Sequence, residues 1–469
     1  MPLKTPIAPE IFKAYDIRGI AGKTLDAATA RLVGQALGTL ANERADEQDS
    51  GERPAIVVGR DGRFSGPELA AALQEGIRSA GVDTLDIGCV PTPVTYFAAE
   101  HLGAGSCVSV TGSHNPPEYN GLKMVIARQT LAGDEIQALR QRIVDGNLHS
   151  RPGGKAQDAD VIPAYLDRVV SGIELARPMK IAIDCGNGVA GAIAPELFRR
   201  LGCMAEELFC AVDGAFPNHH PDPSKPENLR DLVAALAAGK GEIGLAFDGD
   251  GDRLGVVTRD GEIIYPDRQL MLFAADVLQR VPGAEIIYDV KCTRLLRSWI
   301  ESHGGRATMW RTGHALIKRK LKESGAPLAG EMSGHMFFKE RWYGFDDGLY
   351  AAARLLEILS RAPDASALLS ALPNSASTPE INIPMAEGEP FALTAALQDG
   401  DFFSGAREII RIDGIRAEYA DGFGLARPSN TTPVLVLRFE ADNEKALARI
   451  QADFRSALQS LRPELALPF

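Results

Sequence analysis

The sequence predicts an α/β protein of four domains: three related α/β domains with mixed sheets, then a smaller C-terminal α+β domain. Three observations predict it. One strand–turn–helix–glycine–strand pattern occurs three times, and the C-terminal part then switches to the alternation of half-buried strands. The chain has 469 residues, enough for three or four domains at roughly 100–200 residues each. Its 45% hydrophobic and 24% charged residues match a globular protein and exclude a disordered or collagen-like chain.

The first copy of the pattern is A-I-V-V-G-R-D (55–61), a helix over Glu68–Ser79, Gly81 and V-D-T-L-D-I-G. The second is K-I-A-I-D (180–184), a helix over Ala194–Leu201, Gly202 and M-A-E-E-L-F. The third is E-I-I-Y-D (285–289), a helix over Thr293–Ser302, Gly304 and R-A-T-M-W. Each first strand closes on an aspartate (Asp61, Asp184, Asp289), and the aspartate-to-glycine gaps are 20, 18 and 15. Any α/β protein repeats strand and helix, but near-equal spacing favours three related βαβ units. The 47 glycines exceed the average of about 7% and suit tight βα turns that hold phosphates.

Downstream, 407–419 and 433–440 alternate apolar and charged residues, the period of strands with one wet face, and a helix follows from Asn443 to Leu461. Breaks fall at R-P-G-G-K-A-Q-D-A-D (151–160), at Asp260–Asp267 and in the Ser, Ala, Pro and Asn-rich Pro363–Pro384. The domains expected are 1–155, 156–260, 261–373 and 374–469.

Fifty basic against 62 acidic residues give a net charge of −12, which offers no counterion-releasing surface to nucleic acid or anionic membrane. Any anionic ligand must be held by local cations and backbone amides. Six scattered cysteines without a C-x-x-C pair read as reduced thiols. The start M-P-L-K-T-P-I-A-P-E-I-F-K has no apolar secretory core, and no stretch of eighteen uncharged apolar residues exists to span a bilayer. A cytoplasmic protein without membrane or nucleic-acid partners is expected.

The strongest chemical signal is A-F-D-G-D-G-D-R (246–253). In extended backbone Asp248, Asp250 and Asp252 point to one side, and three carboxylates that close demand a cation. An all-oxygen anionic set suits a hard divalent ion such as Mg²⁺. A calcium EF-hand loop fails, because its Gly and Glu positions hold Arg253 and Arg259. Aspartate-nucleophile phosphatases share the D-x-D after an apolar strand but leave Asp252 without a role.

The second signal is V-S-V-T-G-S-H-N-P-P-E-Y-N-G-L-K (108–123). It is no G-x-S-x-G elbow, since Thr111 and Asn115 replace the glycines. Adjacent side chains diverge in extended chain, so Ser113 and His114 are not expected to pair. Alone this is an ordinary turn; beside a metal site Ser113 becomes a phosphoserine candidate. In G-E-M-S-G-H (330–335), Glu331, Ser333 and His335 alternate and could grip sugar hydroxyls. In A-R-P-S-N-T-T-P (426–433), a loop entering a strand, Arg427 could fork two hydrogen bonds to a phosphate. Each of these two patterns is equally an ordinary solvated turn when read alone.

Together, in this order and in separate domains, the four segments resemble the α-D-phosphohexomutase family, most closely its bacterial phosphomannomutase/phosphoglucomutase branch; F-K-A-Y-D-I-R-G (12–19) is similar too. Gly112 and Met332 depart from the alanine and glutamine of phosphoglucosamine mutases. The resemblance covers essentially the whole chain. It implies four domains around a central cleft, and reversible phosphoryl transfer between C1 and C6 of mannose or glucose phosphates through phosphoserine and a 1,6-bisphosphate. Ser113 matches the phosphorylated serine, which binds Mg²⁺ with Asp248, Asp250 and Asp252. Arg253, Lys123 and His114 line the transfer site. Lys123 and His314 are the proton-transfer candidates. Tyr15, Arg18, Lys291, Glu331, Ser333 and His335 contact substrate, while Arg427, Ser429, Asn430 and Thr431 anchor its unreactive phosphate. Glucose or mannose 1,6-bisphosphate would act as activator and intermediate, hexose phosphates are the only partners implied, and a monomer is expected. The alternatives are a Mg²⁺-dependent sugar-phosphate phosphatase, a phosphoglucosamine mutase and a non-catalytic binder on the same scaffold.

Overall fold

In each of the three repeats the two strands pair in parallel across the helix between them. Ala55–Arg60 pairs with Asp83–Cys89, Lys180–Asp184 with Met204–Leu208, and Glu285–Asp289 with Arg306–Trp310. A computed structural model describes residues 7–47 and 53–469. The helices between the paired strands are Gly66–Ser79, Ala194–Arg200 and Leu295–Ser302.

On its other side each first strand takes a second parallel neighbour: Cys107–Val110, Ile243–Phe247 and Leu328–Gly330. Each neighbour turns back into an antiparallel strand, Tyr119–Ile126, Leu254–Thr258 or Met336–Phe338. The three sheets therefore share one four-strand order. Their middle strands are wholly buried, which explains the unbroken apolar runs. The Ser113, Asp248–Asp252 and Glu331–His335 segments occupy the same place in all three sheets, the turn after the second parallel strand. Open α/β sheets bind ligands beyond the carboxyl ends of such strands.

Short strands extend the sheets past the expected divisions. Ala156–Asp158 joins the first sheet beside Asp83–Cys89, and Ile263–Ile264 joins the second beside Leu254–Thr258. Both strands begin beyond the expected divisions at 155/156 and 260/261 yet pair with the preceding sheet. Ile17–Ile20 closes the other edge of the first sheet against Tyr119–Ile126.

The fourth domain has an antiparallel sheet in the order Ala376–Ser377, Val434–Ala441, Gly422–Pro428, Ile415–Glu418, Glu408–Ile410, with Ile381–Pro384 also on Val434–Ala441. The alternating segment 407–419 is a hairpin of two short strands. Gly422–Pro428 is buried throughout and shows no alternation. Arg427 therefore ends one strand, and the turn after it leads into the next. Helix Glu444–Leu461 starts where expected, with the Asn443 side chain accepting from the Ala446 amide at 3.0 Å.

One hydrophobic core runs through the first three domains, from Val94 and Phe97 through Phe198 and Phe247 to Phe338 and Leu349. The fourth has its own core around Leu397, Phe439 and Phe454. It meets the third through a small apolar cluster of Val290, Phe423 and Leu425 and through polar bonds: Arg416 donates to the carbonyls of Val290 and Cys292 at 2.6 and 2.7 Å, and Thr293 to Glu440 at 2.7 Å. Among the described residues no helix is long and apolar enough to cross a membrane, and all six cysteines are free thiols.

Candidate active site

Ser113 is buried at the tip of the first hairpin with a left-handed backbone, φ +50°. Asp61 and Arg63 shape that tip. Asp61 accepts from the Thr111 hydroxyl at 2.8 Å and the Gly112 amide at 3.1 Å. The fully buried Arg63 pairs with Asp61 at 3.1 Å and donates to the carbonyls of Ser113, Asn115, Pro116 and Tyr119 at 2.8, 2.6, 2.5 and 3.0 Å. A Cβ at position 112 would lie 2.4 Å from the Arg63 guanidinium carbon, so a larger residue there must displace Arg63. The left-handed turn also brings Ser113 Oγ within 3.2 Å of His114 Nδ1, a pairing that extended geometry had argued against.

The acidic loop meets this tip across a domain boundary. A Cβ on Gly249 would lie 2.3 Å from the Ser113 carbonyl oxygen, and Ser113 Oγ donates to Asp248 at 3.1 Å. Asp248, Asp250 and Asp252 are fully buried, with one oxygen of each within 4.8 Å of the others. They converge because the chain curls, with Gly251 at φ +76°, and not through extended alternation. Lys123 donates to Asp250 at 2.8 Å and also to Asp252, while Thr92 donates to Asp250. Burial, then the charges of Asp252 and Asp250, push the Asp248 carboxyl well above its ordinary range. Burial also opposes ionisation of Asp252, but Lys123 and His335 outweigh it and hold that carboxyl low.

One buried oxygen of Asp250 has no hydrogen-bond partner, and the free oxygen of Asp252 meets only His335 Nε2, at 3.4 Å. Three convergent carboxylates with such weakly engaged oxygens fit a hard divalent cation. Arg253 extends the positive wall, its Nε 3.9 Å from Asp248.

The third hairpin carries Glu331, Ser333 and His335. His335 Nδ1 lies 3.1 Å from Glu331 and 2.9 Å from the Ser333 hydroxyl, and Nε2 lies 3.4 Å from Asp252. Burial alone would depress this imidazole, but Asp252 and Glu331 carry it up to about 9. His335 thus joins the 331–335 loop to the acidic loop, with Arg253 Nε also 3.2 Å from its Nε2. His314 faces Asp346 at 3.4 Å, and its ring lies 5.7 Å from that of His335. Burial and Lys318 hold the His314 imidazole below its usual range. Burial, then Arg253 and Arg18, keep His114 neutral.

The fourth domain supplies Arg427, whose Nε and Nη2 donate to Asp413 at 3.0 and 3.4 Å. The fork expected to take a phosphate is thus engaged through Nε and Nη2 by Asp413, which leaves Nη1 outside that pair. Lys291 pairs with Glu380 at 2.9 Å. Asn430 donates to the Tyr15 hydroxyl, which donates to the Thr312 carbonyl at 2.7 Å, so the first, third and fourth domains meet there. Ser429 Oγ lies 3.3 Å from the Thr431 hydroxyl in an exposed turn. Arg18 donates to the Gly112 carbonyl at 3.1 Å, to Asn115 and to Asp16, placing it behind the serine tip. Sequence reasoning passed over Arg63, Thr92, Asp346, Glu380 and Asp413. Only the D-G-R after the first strand marked any of them.

Four family models match in succession. Domains I, II and III of "Phosphoglucomutase/phosphomannomutase, alpha/beta/alpha" match residues 9–148, 163–261 and 265–375, and the C-terminal domain matches 380–457. The chain is 56% identical over 468 residues to a phosphomannomutase/phosphoglucomutase of Pseudomonas aeruginosa, covering 99% of both. It is 56% identical over 464 residues to a phosphoglucomutase of Neisseria meningitidis, covering 98% of this chain and 99% of that one. A crystal structure of a phosphoglucomutase/phosphomannomutase family protein from Burkholderia thailandensis superposes with a TM-score of 0.93 at 58% identity, covering 99% of this chain and 100% of that one.

Proposed function

We propose that this chain, which belongs to the phosphoglucomutase/phosphomannomutase family, is an isomerase that moves a phosphoryl group between C1 and C6 of glucose or mannose phosphates. One observation carries the reading: Ser113 Oγ lies 3.1 Å from Asp248 at the meeting of two domains. A serine placed against a carboxylate cluster is suited to carry a phosphoryl group. Its names among relatives support the same reaction.

In the forward half-reaction the P–O bond to Ser113 Oγ breaks. The phosphorus bonds to the free hydroxyl oxygen of the hexose monophosphate, giving a 1,6-bisphosphate. Return of the other phosphate to Ser113 after the intermediate turns over completes the exchange. Phosphoryl transfer needs positioning and charge neutralisation more than covalent help. Lys123 and Arg253 supply fixed positive charge. Asp248, Asp250, Asp252 and the phosphorylated Ser113 would hold Mg²⁺, which when bound neutralises phosphoryl charge as a Lewis acid.

Lys123 is not free as a base, because two carboxylates hold its ammonium. His314 is the better of the two candidates, since Nδ1 faces Asp346 and leaves the Nε2 lone pair to accept the hydroxyl proton. Glu331 and Ser333 suit the sugar hydroxyls, with Nη1 of Arg427, Lys291 and the Ser429–Thr431 turn for the distal phosphate. The six free thiols support a cytoplasmic location.

The test is a coupled assay with glucose 1-phosphate, Mg²⁺ and trace glucose 1,6-bisphosphate. Glucose 6-phosphate without free phosphate is expected, and free phosphate as the product would indicate the phosphatase instead. Ser113→Ala should lose turnover by more than a thousandfold with its melting curve unchanged. Near-normal rates in that variant eliminate the phosphoserine.

A further inference from the structure

A cavity of about 780 Å³ lies between the first and third domains, within the range of small-molecule sites, roughly 300–1,000 Å³. It is distinct from the cleft. Its wall includes Cys107 and Val125, which pair at the start of Cys107–Val110, about 10 Å of strand from the end that leads to Ser113.

The chain carries a net charge of −12, yet this cavity is positive. Arg128, Lys318, Arg319, Lys322 and Lys339 line it against only Glu100 and Glu323. Arg128 is partly engaged by Glu100 at 3.3 Å and Arg319 by Glu135 at 2.7 Å. Lys322 reaches only the Arg128 carbonyl, at 3.2 Å, and Lys322 and Lys339 are both exposed and in no ion pair among the described residues. The same walls carry aromatic faces. Tyr343 is 41% exposed and lies parallel to Phe345, with ring centroids 5.8 Å apart, while Tyr96 faces Lys318. Uncommitted ammonium groups beside the partly exposed Tyr343, over whose ring the Arg168 guanidinium lies at 5.7 Å, suit a ligand with a phosphate at one end and a planar ring at the other.

We propose that this cavity is a second ligand site, for an aromatic monophosphate of about nucleoside monophosphate size. Lys318 links it to the cleft. Its ammonium sits 4.1 Å over the Tyr96 ring and 2.8 Å from Asp346, whose other oxygen faces His314. A phosphate in the cavity competes with Asp346 for that ammonium, so occupancy alters the wall behind His314.

Calorimetric titration of the full chain with AMP, and with inorganic phosphate for comparison, tests the site. AMP should bind saturably and at least tenfold more tightly than phosphate. Lys322→Glu/Lys339→Glu should weaken AMP at least tenfold with an unchanged melting curve. Tyr343→Ala, at an exposed position, should weaken AMP but not phosphate. Absence of saturable AMP binding overturns the site, as does AMP binding that the double variant leaves intact. Phosphate binding as tightly as AMP overturns the aromatic half. Saturating AMP should shift the apparent KM of the cleft reaction at least threefold, and an unchanged KM with AMP bound overturns the Lys318 link.

Discussion

Arg63 touches neither Ser113 Oγ nor the acidic loop, yet the geometry makes it the keystone of the serine tip. Arg63→Met keeps most of the side-chain length and removes every donor. Four main-chain carbonyls between 113 and 119 then lose their partner, and Asp61 is left buried without its counter-charge. Removing one partner of a buried pair costs about 3–5 kcal/mol. Protonation of Asp61, already pushed upward by burial, keeps the loss near the lower end. At about 1.4 kcal/mol per decade, an opening made 3 kcal/mol easier speeds local exchange by roughly 100-fold. Hydrogen exchange read on peptides spanning 108–123 should show that increase, with peptides of the fourth domain unchanged. Turnover should fall by a comparable factor because Ser113 no longer sits against Asp248. Arg63→Lys restores charge but not the planar fork, so it should fall between. Wild-type protection of 108–123 together with wild-type turnover in Arg63→Met would refute the assignment.

Further outcomes follow from other contacts. Gly249→Ala must push the acidic loop off the Ser113 carbonyl, so kcat should drop about 100-fold with KM little changed; a purely KM effect in steady-state assays would contradict this. Asp347 caps helix Gly348–Leu359 in a buried site that accepts from the Tyr165 hydroxyl at 3.0 Å, and burial pushes its carboxyl up to about 7 from 3.8. The neutral form is therefore favoured in the fold, and its stability contribution is full below about pH 4 and lost as pH rises through 7. This difference is worth at most about 4 kcal/mol. Urea melts at pH 5 and 7.5 should show Asp347→Asn flattening that slope, and an unchanged slope would count against it. Asn430→Ala removes the tie to Tyr15, so KM for sugar phosphate should rise severalfold. Because the fourth domain has its own core, scattering should report a smaller radius with glucose 1-phosphate bound, and superimposable curves would exclude closure.

The four motif segments were legible because each packs its chemistry into a few consecutive residues. Conformation within them was not. Ser113 and Gly251 both adopt positive φ, and the extended geometry assumed for the chain gave the wrong reason for the convergence of the aspartates and the wrong expectation for Ser113 and His114. The supporting groups were hidden by distance in sequence: Thr92 reaches Asp250 across 158 positions, and Glu380 accepts from Lys291 across 89. The three-fold repeat was legible from strand spacing. The edge strands Ala156–Asp158 and Ile263–Ile264 were too short to carry a period. Gly422–Pro428 was concealed by burial on both faces, which removes alternation altogether.

The shared four-strand order has a practical consequence. Nucleophile, cation cradle and hydroxyl grip are three dialects of one turn, each written on its own stiff platform. If 331–335 grips the sugar as proposed, rewriting it should alter sugar preference while leaving the other two platforms as they stand. No single platform is competent by itself, since its tip supplies only part of the chemistry. Chains severed between platforms should thus be silent apart and recover turnover only when the pieces reassemble.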